Sequence, residues 1–168
     1  SCLADLPEGR VLDVGAKDAH YRRFIPQTGY TTLDIRPTGA TDLCCDLHDI
    51  SLKPNTFDTV IALEVLEHLY EPQRAVNEIY RVLRKGGVFV GTTRFICRYH
   101  PDPYDYYRFT SDGLKHLFAA FLRVHVVPHG NGLQAVWHIV NNDYRRLRVL
   151  LNIFNPWVGR INFTSSGF

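Results

Sequence analysis

The hydrophobic positions of the chain fall into short apolar runs, which alternate with longer stretches whose apolar residues recur every three or four positions. The short runs predict β-strands at residues 11–14, 30–33, 42–45, 59–63 and 88–92. Residues 59–63 are almost continuously apolar, which is typical of a strand buried on both faces of a sheet. A sixth strand is predicted at 122–127, where the apolar residues alternate only in part.

Apolar residues at helical spacing predict the intervening helices. Residues 18–25 have this spacing and end before Pro26, and a second helix over 72–83 has one continuous apolar face. Thr110 is placed to cap a third helix. Residues 135–140 suit either a returning antiparallel strand or a helix, and the helix is favoured.

Strands that alternate with helices at these lengths predict an α/β fold with a mostly parallel sheet, because parallel neighbours need crossover connections. The chain has 168 residues and is 45% hydrophobic, so it can bury one sizeable core. We therefore expect a single domain over 1–168, with its core at about 8–128 and a helical C-terminal segment at about 131–168.

Acidic residues stand at the ends of four predicted strands. They are Asp13, Asp34, Asp46 and Glu64. In an open α/β sheet the carboxyl ends of parallel strands meet at one edge, and ligands bind in the crevice outside that edge. The sequence therefore predicts a ligand site lined by carboxylates.

The charge balance gives no support for a nucleic-acid-binding surface. The chain has 19 Lys and Arg against 17 Asp and Glu, and the basic excess lies in residues 141–168. Nucleic-acid binding usually needs a concentrated basic face. The cysteines and histidines show no spacing of the zinc-binding type, so no metal site is predicted. Reduced thiols are typical of a cytoplasmic protein.

Five sequence segments occur in a fixed order, namely VLDVGA, TTLDIRP, CCDLHD, FDTVIALEVLEHL and VLRKGGVFV. Together they resemble the class I S-adenosylmethionine-dependent methyltransferases, most closely the methyltransferase type 11 group, across about residues 10–121. The resemblance implies a doubly wound, Rossmann-like sheet of roughly six or seven strands with helices on both faces. It also implies S-adenosylmethionine as the cofactor and methyl transfer as the activity.

The resemblance implies roles for individual residues at the strand ends. Asp34 would accept hydrogen bonds from both ribose hydroxyls through its two carboxylate oxygens, and Ile35 would cover the adenine. The other implied cofactor-binding residues are Asp13, Gly15, Ala16 and Lys17 in the first loop, the adenine contacts Asp46 and Leu47, and the acid Glu64.

The first loop departs from the family pattern, because DVGAKDA stands where a three-glycine turn is usual. If Lys17 occupies a position with positive φ, its side chain costs on the order of 1 kcal/mol. Two interpretations stay open. In one, Lys17 turns outward or pairs with the cofactor's carboxylate, and the loop binds cofactor despite Lys17 and Ala19. In the other, the fold is an inactive binding module. A nicotinamide-dependent oxidoreductase is less favoured, since G-x-G-x-x-G is missing.

The segment RFICRYHPDPYDYYRF predicts a long loop, and long loops inside compact domains are often functional. Its HPDPYDYYRFT portion is similar to a segment of bacterial family members associated with cell-surface polysaccharide genes. We expect a small-molecule or carbohydrate acceptor that is methylated at oxygen, which requires a group to take the hydroxyl proton. The candidates for that group are His68, His100 and Asp105. The candidates for acceptor binding are Tyr104, Tyr107 and Arg108, although these side chains equally suit packing over the end of the sheet.

Basic and apolar residues mix in the segment 144–163. This composition suits contact with an anionic membrane surface or with a protein partner. A helix packed against the sheet is the preferred interpretation. Because the chain begins close to the first strand, we expect a partner subunit, as in a homodimer, to supply the cover that N-terminal helices give in many relatives.

Overall fold

The computed structural model describes residues 6–25, 29–128, 130, 132–133 and 135–137. Its strands are β1 (Arg10–Val14), β2 (Gly29–Asp34), β3 (Leu43–Cys44), β4 (Phe57–Leu63) and β5 (Leu83–Thr92). Its α-helices are α1 (Pro72–Val82) and α2 (Ser111–Leu117), and short 3₁₀ helices cover Arg22–Phe24 and Leu66–His68. The strands form one parallel sheet in the order β3-β2-β1-β4-β5.

Strand β1 lies at the centre of the sheet because it pairs on both sides. Val11 is opposite Tyr30 of β2 and also opposite Thr59 of β4. The strand order reverses at this point, so the connections from β1 and from β4 leave toward opposite edges. The predicted α/β fold with a parallel sheet is confirmed.

The two faces of the sheet are covered differently. Leu12 and Val60 pack into the larger core together with the apolar faces of α1 and α2. Val11 and Ile61 point to the opposite face, where Ile25 packs on them. Within the described residues, both α-helices therefore lie on one face, and the segment that contains Arg22–Phe24 covers the other.

Helix α1 shows how the hydrophobic spacing builds the larger core. Its buried residues recur at helical spacing and are Ala75, Val76, Ile79 and Val82. The helix ends at Val82, because the chain continues directly into β5 at Leu83. The predicted end at residue 83 is therefore correct to within one residue.

Two predicted elements are wrong. Residues 18–25 form turns and a single 3₁₀ turn rather than an α-helix, because Ala19 has a left-handed φ of 52° that cannot continue a right-handed helix. Residues 122–127 form no strand, and the side chains of Leu122 and Val127 are 97% and 71% exposed. Of the apolar residues of this segment, Val124 packs against the larger core, whereas Leu122 and Val127 do not help to cover the sheet.

The described part of the chain has five strands, fewer than the six or seven expected. Residues 135–137 are helical, in agreement with the favoured interpretation of that segment, whereas 138–140 and 144–163 lie outside the described residues. No described helix combines the length and the apolar character that crossing a bilayer requires.

A buried polar pair joins the two central strands on the face opposite α1. The Tyr30 hydroxyl donates a hydrogen bond of 2.5 Å to Oδ2 of Asp13. Burial raises the pKa of Asp13 to about 6, although the hydrogen bond from Tyr30 opposes this shift. The folded chain consequently holds a proton on Asp13 more tightly than the unfolded chain does.

This pair predicts a pH dependence of stability. The stabilising effect of the raised pKa is complete below the ordinary pKa of 3.8 and is lost as the pH rises through about 6. We expect the free energy of unfolding of the wild type to fall relative to that of Asp13→Asn between about pH 4 and pH 7, by on the order of 2 kcal/mol. Urea denaturation across this range measures the difference. Asp112→Asn, an exposed matched change, should follow the wild type, and parallel curves for wild type and Asp13→Asn would contradict the prediction.

Helix α2 begins with the predicted cap. The Thr110 hydroxyl oxygen accepts a hydrogen bond of 3.0 Å from the backbone N–H of Gly113. We expect Thr110→Ala to lower the free energy of unfolding by about 1 kcal/mol, because the first turn loses a hydrogen-bond acceptor. The neighbouring exposed hydroxyl of Ser111 provides the matched control, and Ser111→Ala should change stability by no more than a few tenths of that amount. Equal losses in the two variants would assign the effect to something other than the cap.

Candidate functional site

The carboxyl ends of the strands bring the predicted acids to one edge of the sheet. Gly15 follows β1, Asp34 ends β2, Asp46 lies just after β3, and Glu64 follows β4. This edge also contains the point between β1 and β4 where the strand order reverses, which is the usual ligand position in such sheets. Of the four predicted acids, Asp34, Asp46 and Glu64 stand at this edge, whereas Asp13 lies within β1.

The loop after β1 is held against the end of β2 by its backbone. The N–H groups of Gly15 and Ala16 both donate to the carbonyl oxygen of Leu33, at 2.8 Å and 3.3 Å. Gly15 has a φ of 67°, and a Cβ atom there would lie 2.6 Å from Cγ2 of Val65. Glycine is therefore required at position 15 both by its conformation and by the close approach of a side chain.

Lys17 and Ala19 adopt the left-handed conformation that the missing glycines would adopt easily. Their φ values are 46° and 52°. Each non-glycine residue in this region costs on the order of 1 kcal/mol. The Lys17 side chain points away from the loop and is 62% exposed. The loop therefore keeps the backbone course of a glycine turn, and the lysine turns outward.

Asp34 organises the end of β2. Its carboxylate is buried and accepts hydrogen bonds of 3.0 Å from the N–H groups of Lys17 and Arg36, one on each oxygen. Each carboxylate oxygen has a further lone pair. The next side chain, Ile35, is apolar and yet 55% exposed. The end of β2 thus offers a fixed carboxylate beside an apolar surface.

Asp46 lies one strand further along the edge. Its Oδ1 atom accepts from the N–H of His48 at 2.9 Å and contacts Nδ1 of the same histidine at 2.5 Å. These bonds lower the pKa of Asp46 although partial burial opposes them, so this carboxylate stays ionised. The side chain of Leu47 is buried in the larger core, which fixes the backbone between the two polar residues.

The other two predicted acids have partners within the fold. Asp13 holds the hydroxyl of Tyr30, as described above. Glu64 pairs with Arg94 and has a φ of 57°, an unusual conformation for a residue with a side chain. Strained backbone of this kind is concentrated at functional sites.

The tyrosine-rich loop, residues 93–110, connects β5 to α2 and crosses the carboxyl edge of the sheet. Asp102 ties one side of it to the loops that follow β1 and β2, because its carboxylate pairs with the Lys17 ammonium at 2.5 Å and also with Arg36. The Lys17 bond is the largest of the effects that lower the pKa of Asp102. One carboxylate of the loop therefore bridges the loops that follow β1 and β2.

The other side of the tyrosine-rich loop is tied to Glu67. The backbone carbonyl of Glu67 accepts from the N–H groups of Tyr106 and Tyr107, at 2.8 Å and 3.2 Å. Its side-chain Oε2 accepts from the Thr93 hydroxyl at 2.9 Å. Glu67 is fully buried, and its Oε1 atom has no hydrogen-bond partner among the described residues.

The candidate residues of the loop form a network around His100. Asp105 accepts from the His100 N–H at 2.9 Å and pairs with Arg108 at 2.5 Å. The Arg108 bond is the largest of the effects that hold the pKa of Asp105 far below its ordinary range, so this buried carboxylate is a weak proton acceptor. Asp105 is consequently placed to position His100, and Arg108 is occupied by bonds within the loop.

His68 and His100 lie face to edge, with ring centroids 5.1 Å apart. Nδ1 of His68 lies 2.5 Å from the carbonyl oxygen of Tyr104, and Nδ1 of His100 lies 3.0 Å from that of Arg98. A carbonyl oxygen can only accept a hydrogen bond, so each Nδ1 donates, and in a neutral imidazole the other ring nitrogen, Nε2, is then the acceptor. Both rings are therefore fixed by backbone carbonyls through Nδ1.

The predicted acceptor-binding tyrosines differ in their surroundings. The Tyr104 ring is 59% exposed and lies beside that of Tyr106, with centroids 5.6 Å apart. Tyr107 stacks on Phe109 and donates its hydroxyl hydrogen to the carbonyl of Tyr70 at 3.2 Å. Tyr104 is thus available to a ligand, whereas much of Tyr107 is used to hold the loop.

Sequence reasoning missed Glu67, Arg36 and Arg94. Glu67 stands one residue before the predicted His68, but nothing in the local pattern shows that its side chain turns inward toward a loop far along the chain. Arg36 and Arg94 each come two residues after a strand end, and the strand ends, which were searched for acids, could equally have been searched for cations.

Comparison with known proteins agrees with this geometry. Residues 12–91 match the family described as a methyltransferase domain. A curated relative, a probable S-adenosylmethionine-dependent methyltransferase from Mycolicibacterium smegmatis, is 40% identical over 48 residues, which are 29% of this chain and 19% of the relative. The chain thus spans about a fifth of the length of that relative.

Solved structures share the fold. An S-adenosylmethionine-dependent methyltransferase from Mesorhizobium loti aligns with a TM-score of 0.58 at 14% identity, over 71% of this chain and 77% of the other. The [4+2]-cyclase SpnF aligns with the same TM-score at 22% identity, over 71% of this chain and 53% of the other. Residues 12–91 thus match the methyltransferase-domain family, and the sheet built around them has the fold of these solved structures.

Proposed function

We propose that the chain transfers a methyl group from S-adenosylmethionine to a hydroxyl group of a small molecule or carbohydrate. The observation that carries this proposal is the pairing of Asp34 with the loop after β1. The Asp34 carboxylate holds the N–H of Lys17 at 3.0 Å, and that loop keeps a glycine-turn course at an energetic cost. Both features lie where this fold binds its ligand.

The residues at the carboxyl edge fit the cofactor of the family. Asp34 has one free lone pair on each oxygen for the two ribose hydroxyls, and the exposed Ile35 side chain suits the adenine face. Asp46 and the backbone of Leu47 would bind the adenine edge. Gly15, Ala16 and Lys17 would hold the methionine half. Asp13 and Glu64 would contribute to the cofactor site indirectly, through the side chains that they bind within the fold.

S-Adenosylmethionine brings its own activation, because the methyl group is bonded to a sulfonium. The acceptor oxygen forms a bond to the methyl carbon while the carbon–sulfur bond breaks, and the sulfonium becomes a neutral thioether. The hydroxyl proton must also leave. Nε2 of His68 or of His100 would accept this proton. The rest of the task is to aim the oxygen and exclude water.

The tyrosine-rich loop favours an acceptor with a flat or polyhydroxylated surface. Tyr99, Tyr104 and Tyr106 have exposed rings on this loop. Exposed aromatic rings that also have a polar end suit sugar rings and phenols. We assign Tyr104 to acceptor binding because the carbonyl of the same residue holds His68.

Lys17 keeps the non-catalytic alternative worth testing. In a binding module, the Lys17–Asp102 pair would serve only to close the loop over the edge of the sheet. A module of this kind would bind S-adenosylmethionine without transferring its methyl group, or would not bind it. A nicotinamide oxidoreductase would instead bind NADH.

The first prediction from this proposal concerns cofactor affinity. We expect Asp34→Asn to weaken S-adenosylmethionine binding at least tenfold, because the amide replaces one acceptor oxygen with a donor and removes the charge. Isothermal titration calorimetry on the full chain measures the dissociation constant. Asp112→Asn changes an exposed residue of α2 that pairs with Lys115, and it should bind as the wild type does. No binding by the wild type at millimolar cofactor, or a preference for NADH, would refute cofactor binding.

The second prediction concerns turnover. We expect His100→Ala to lower methyl transfer on the order of 100-fold, because the hydroxyl proton loses one of its two nitrogen neighbours. Its affinity for S-adenosylmethionine should stay within about twofold of the wild type. Radiolabelled methyl transfer to a panel of monosaccharides, sugar nucleotides and phenols measures the rate. His116→Ala, an exposed histidine on α2, should keep full activity. Wild-type turnover in His100→Ala would remove His100 from the reaction.

A further inference from the structure

Glu67, His68 and His100 form a cluster of potential metal ligands beneath the tyrosine-rich loop. One ligand atom from each side chain lies within 4.8 Å of the other two. Glu67 and His68 come from the 3₁₀ helix that follows β4, and His100 comes from the loop. The cluster thus joins two segments that are distant in sequence, which explains why no spacing motif revealed it.

The unpartnered oxygen of Glu67 points to a missing ligand. Glu67 is fully buried, and its Oε1 atom has no hydrogen-bond partner among the described residues, whereas Oε2 is bonded to Thr93. Burying a carboxylate oxygen without a partner is costly, and buried carboxylates are usually paired with a cation or bound to a metal. Nε2 of His100 lies 3.9 Å from Oε1, which is too far for a hydrogen bond.

The two histidines are already oriented as ligands. Both Nδ1 atoms bond to backbone carbonyls, so the ring nitrogen that can bind a metal in the neutral imidazole is Nε2 in each case. A metal-bound histidine typically donates its other ring N–H to a carbonyl or carboxylate, which fixes the ring and its tautomer. Asp105 adds such a carboxylate, because its Oδ2 lies 3.3 Å from Nδ1 of His100.

We propose that Glu67, His68 and His100 bind a divalent transition-metal ion of the zinc type. Two imidazoles and one carboxylate are a ligand set suited to this class, whereas magnesium and calcium prefer oxygen ligands. Tetrahedral bonds of about 2.0–2.1 Å place ligand atoms about 3.3 Å apart, so the gap between Glu67 and His100 needs to close by about 0.6 Å. Small side-chain rotations supply that movement.

The ion has a role in the reaction, and this role rests on the proposed function. Three protein ligands leave one position open for the acceptor hydroxyl. The bound hydroxyl loses its proton to solvent water more easily, and its oxygen then attacks the methyl carbon as the carbon–sulfur bond breaks. With the ion in place, His68 and His100 serve as ligands rather than as proton acceptors.

Metal titration of the full chain tests the site directly. The protein is purified without a polyhistidine tag, stripped with a chelator and titrated calorimetrically with zinc chloride, and the cobalt(II) derivative is followed by visible absorption. We expect one ion per chain with micromolar or tighter affinity. Glu67→Gln, His68→Ala and His100→Ala should each weaken binding at least 100-fold, and magnesium chloride should compete poorly.

Matched variants separate this site from other ligands in the chain. His116→Ala tests an exposed histidine on α2, and Cys97→Ser tests the thiol that lies 3.6 Å from Nδ1 of His100. Both should bind zinc as the wild type does. Melting temperatures without metal check that each variant is folded, and His100→Ala, whose side chain is on the loop, decides the question if Glu67→Gln does not fold.

The outcomes distinguish the metal site from the proposed function. No zinc binding by the wild type, or unchanged affinity in His100→Ala, would overturn the metal site, and this result is independent of S-adenosylmethionine binding. A preference for magnesium would overturn the assigned class of ion. Zinc binding with full dependence on the three residues would support the site even in a chain that fails to transfer methyl groups.

Discussion

The parallel arrangement of the sheet is the constraint on which the site depends. Because β1 pairs with both β2 and β4 in parallel, every strand ends at the same edge. Residues that are far apart in sequence, such as Gly15, Asp34 and Glu64, must then lie along one line. The burial of apolar side chains on both faces fixes this arrangement, so the energy of the core positions the chemistry of the edge.

The tyrosine-rich loop converts that edge into a covered site, and Glu67 is its main anchor. The backbone carbonyl of Glu67 holds two N–H groups of the loop, and its carboxylate holds Thr93. Asp102 secures the other side through Lys17 and Arg36. Charged contacts therefore join the tyrosine-rich loop to the loops that follow β1 and β2, so a ligand at one of these loops is positioned to influence the other.

Local patterning predicted the parts of the structure that depend on local chemistry. The apolar runs predicted the central strands. The acids at the strand ends lie along one edge because the strands of the sheet are parallel. The failures have a physical cause: the left-handed φ of Ala19 prevents a helix at 18–25, and in 122–127 the apolar side chains of Leu122 and Val127 stay exposed. Neither conformation nor burial by distant segments can be deduced from spacing alone. For the same reason, the sequence did not reveal that Glu67 and His100 lie near each other, because they approach only when the loop folds back over the edge.

The conformation of the first loop bears on whether the site is retained. Lys17 and Ala19 keep left-handed φ values where side chains are unfavourable, and the Lys17 N–H is directed at Asp34 by this course. If the loop could relax, these residues would adopt ordinary negative φ values, and the free energy of the folded chain would fall by about 1 kcal/mol for each. The strain persists because the carbonyl of Leu33 and the carboxylate of Asp34 hold the loop from the β2 side. The hydrogen bonds that keep the loop in this conformation are therefore made by residues at the proposed cofactor site. This arrangement is expected of a ligand site and not of a fold that has lost its ligand.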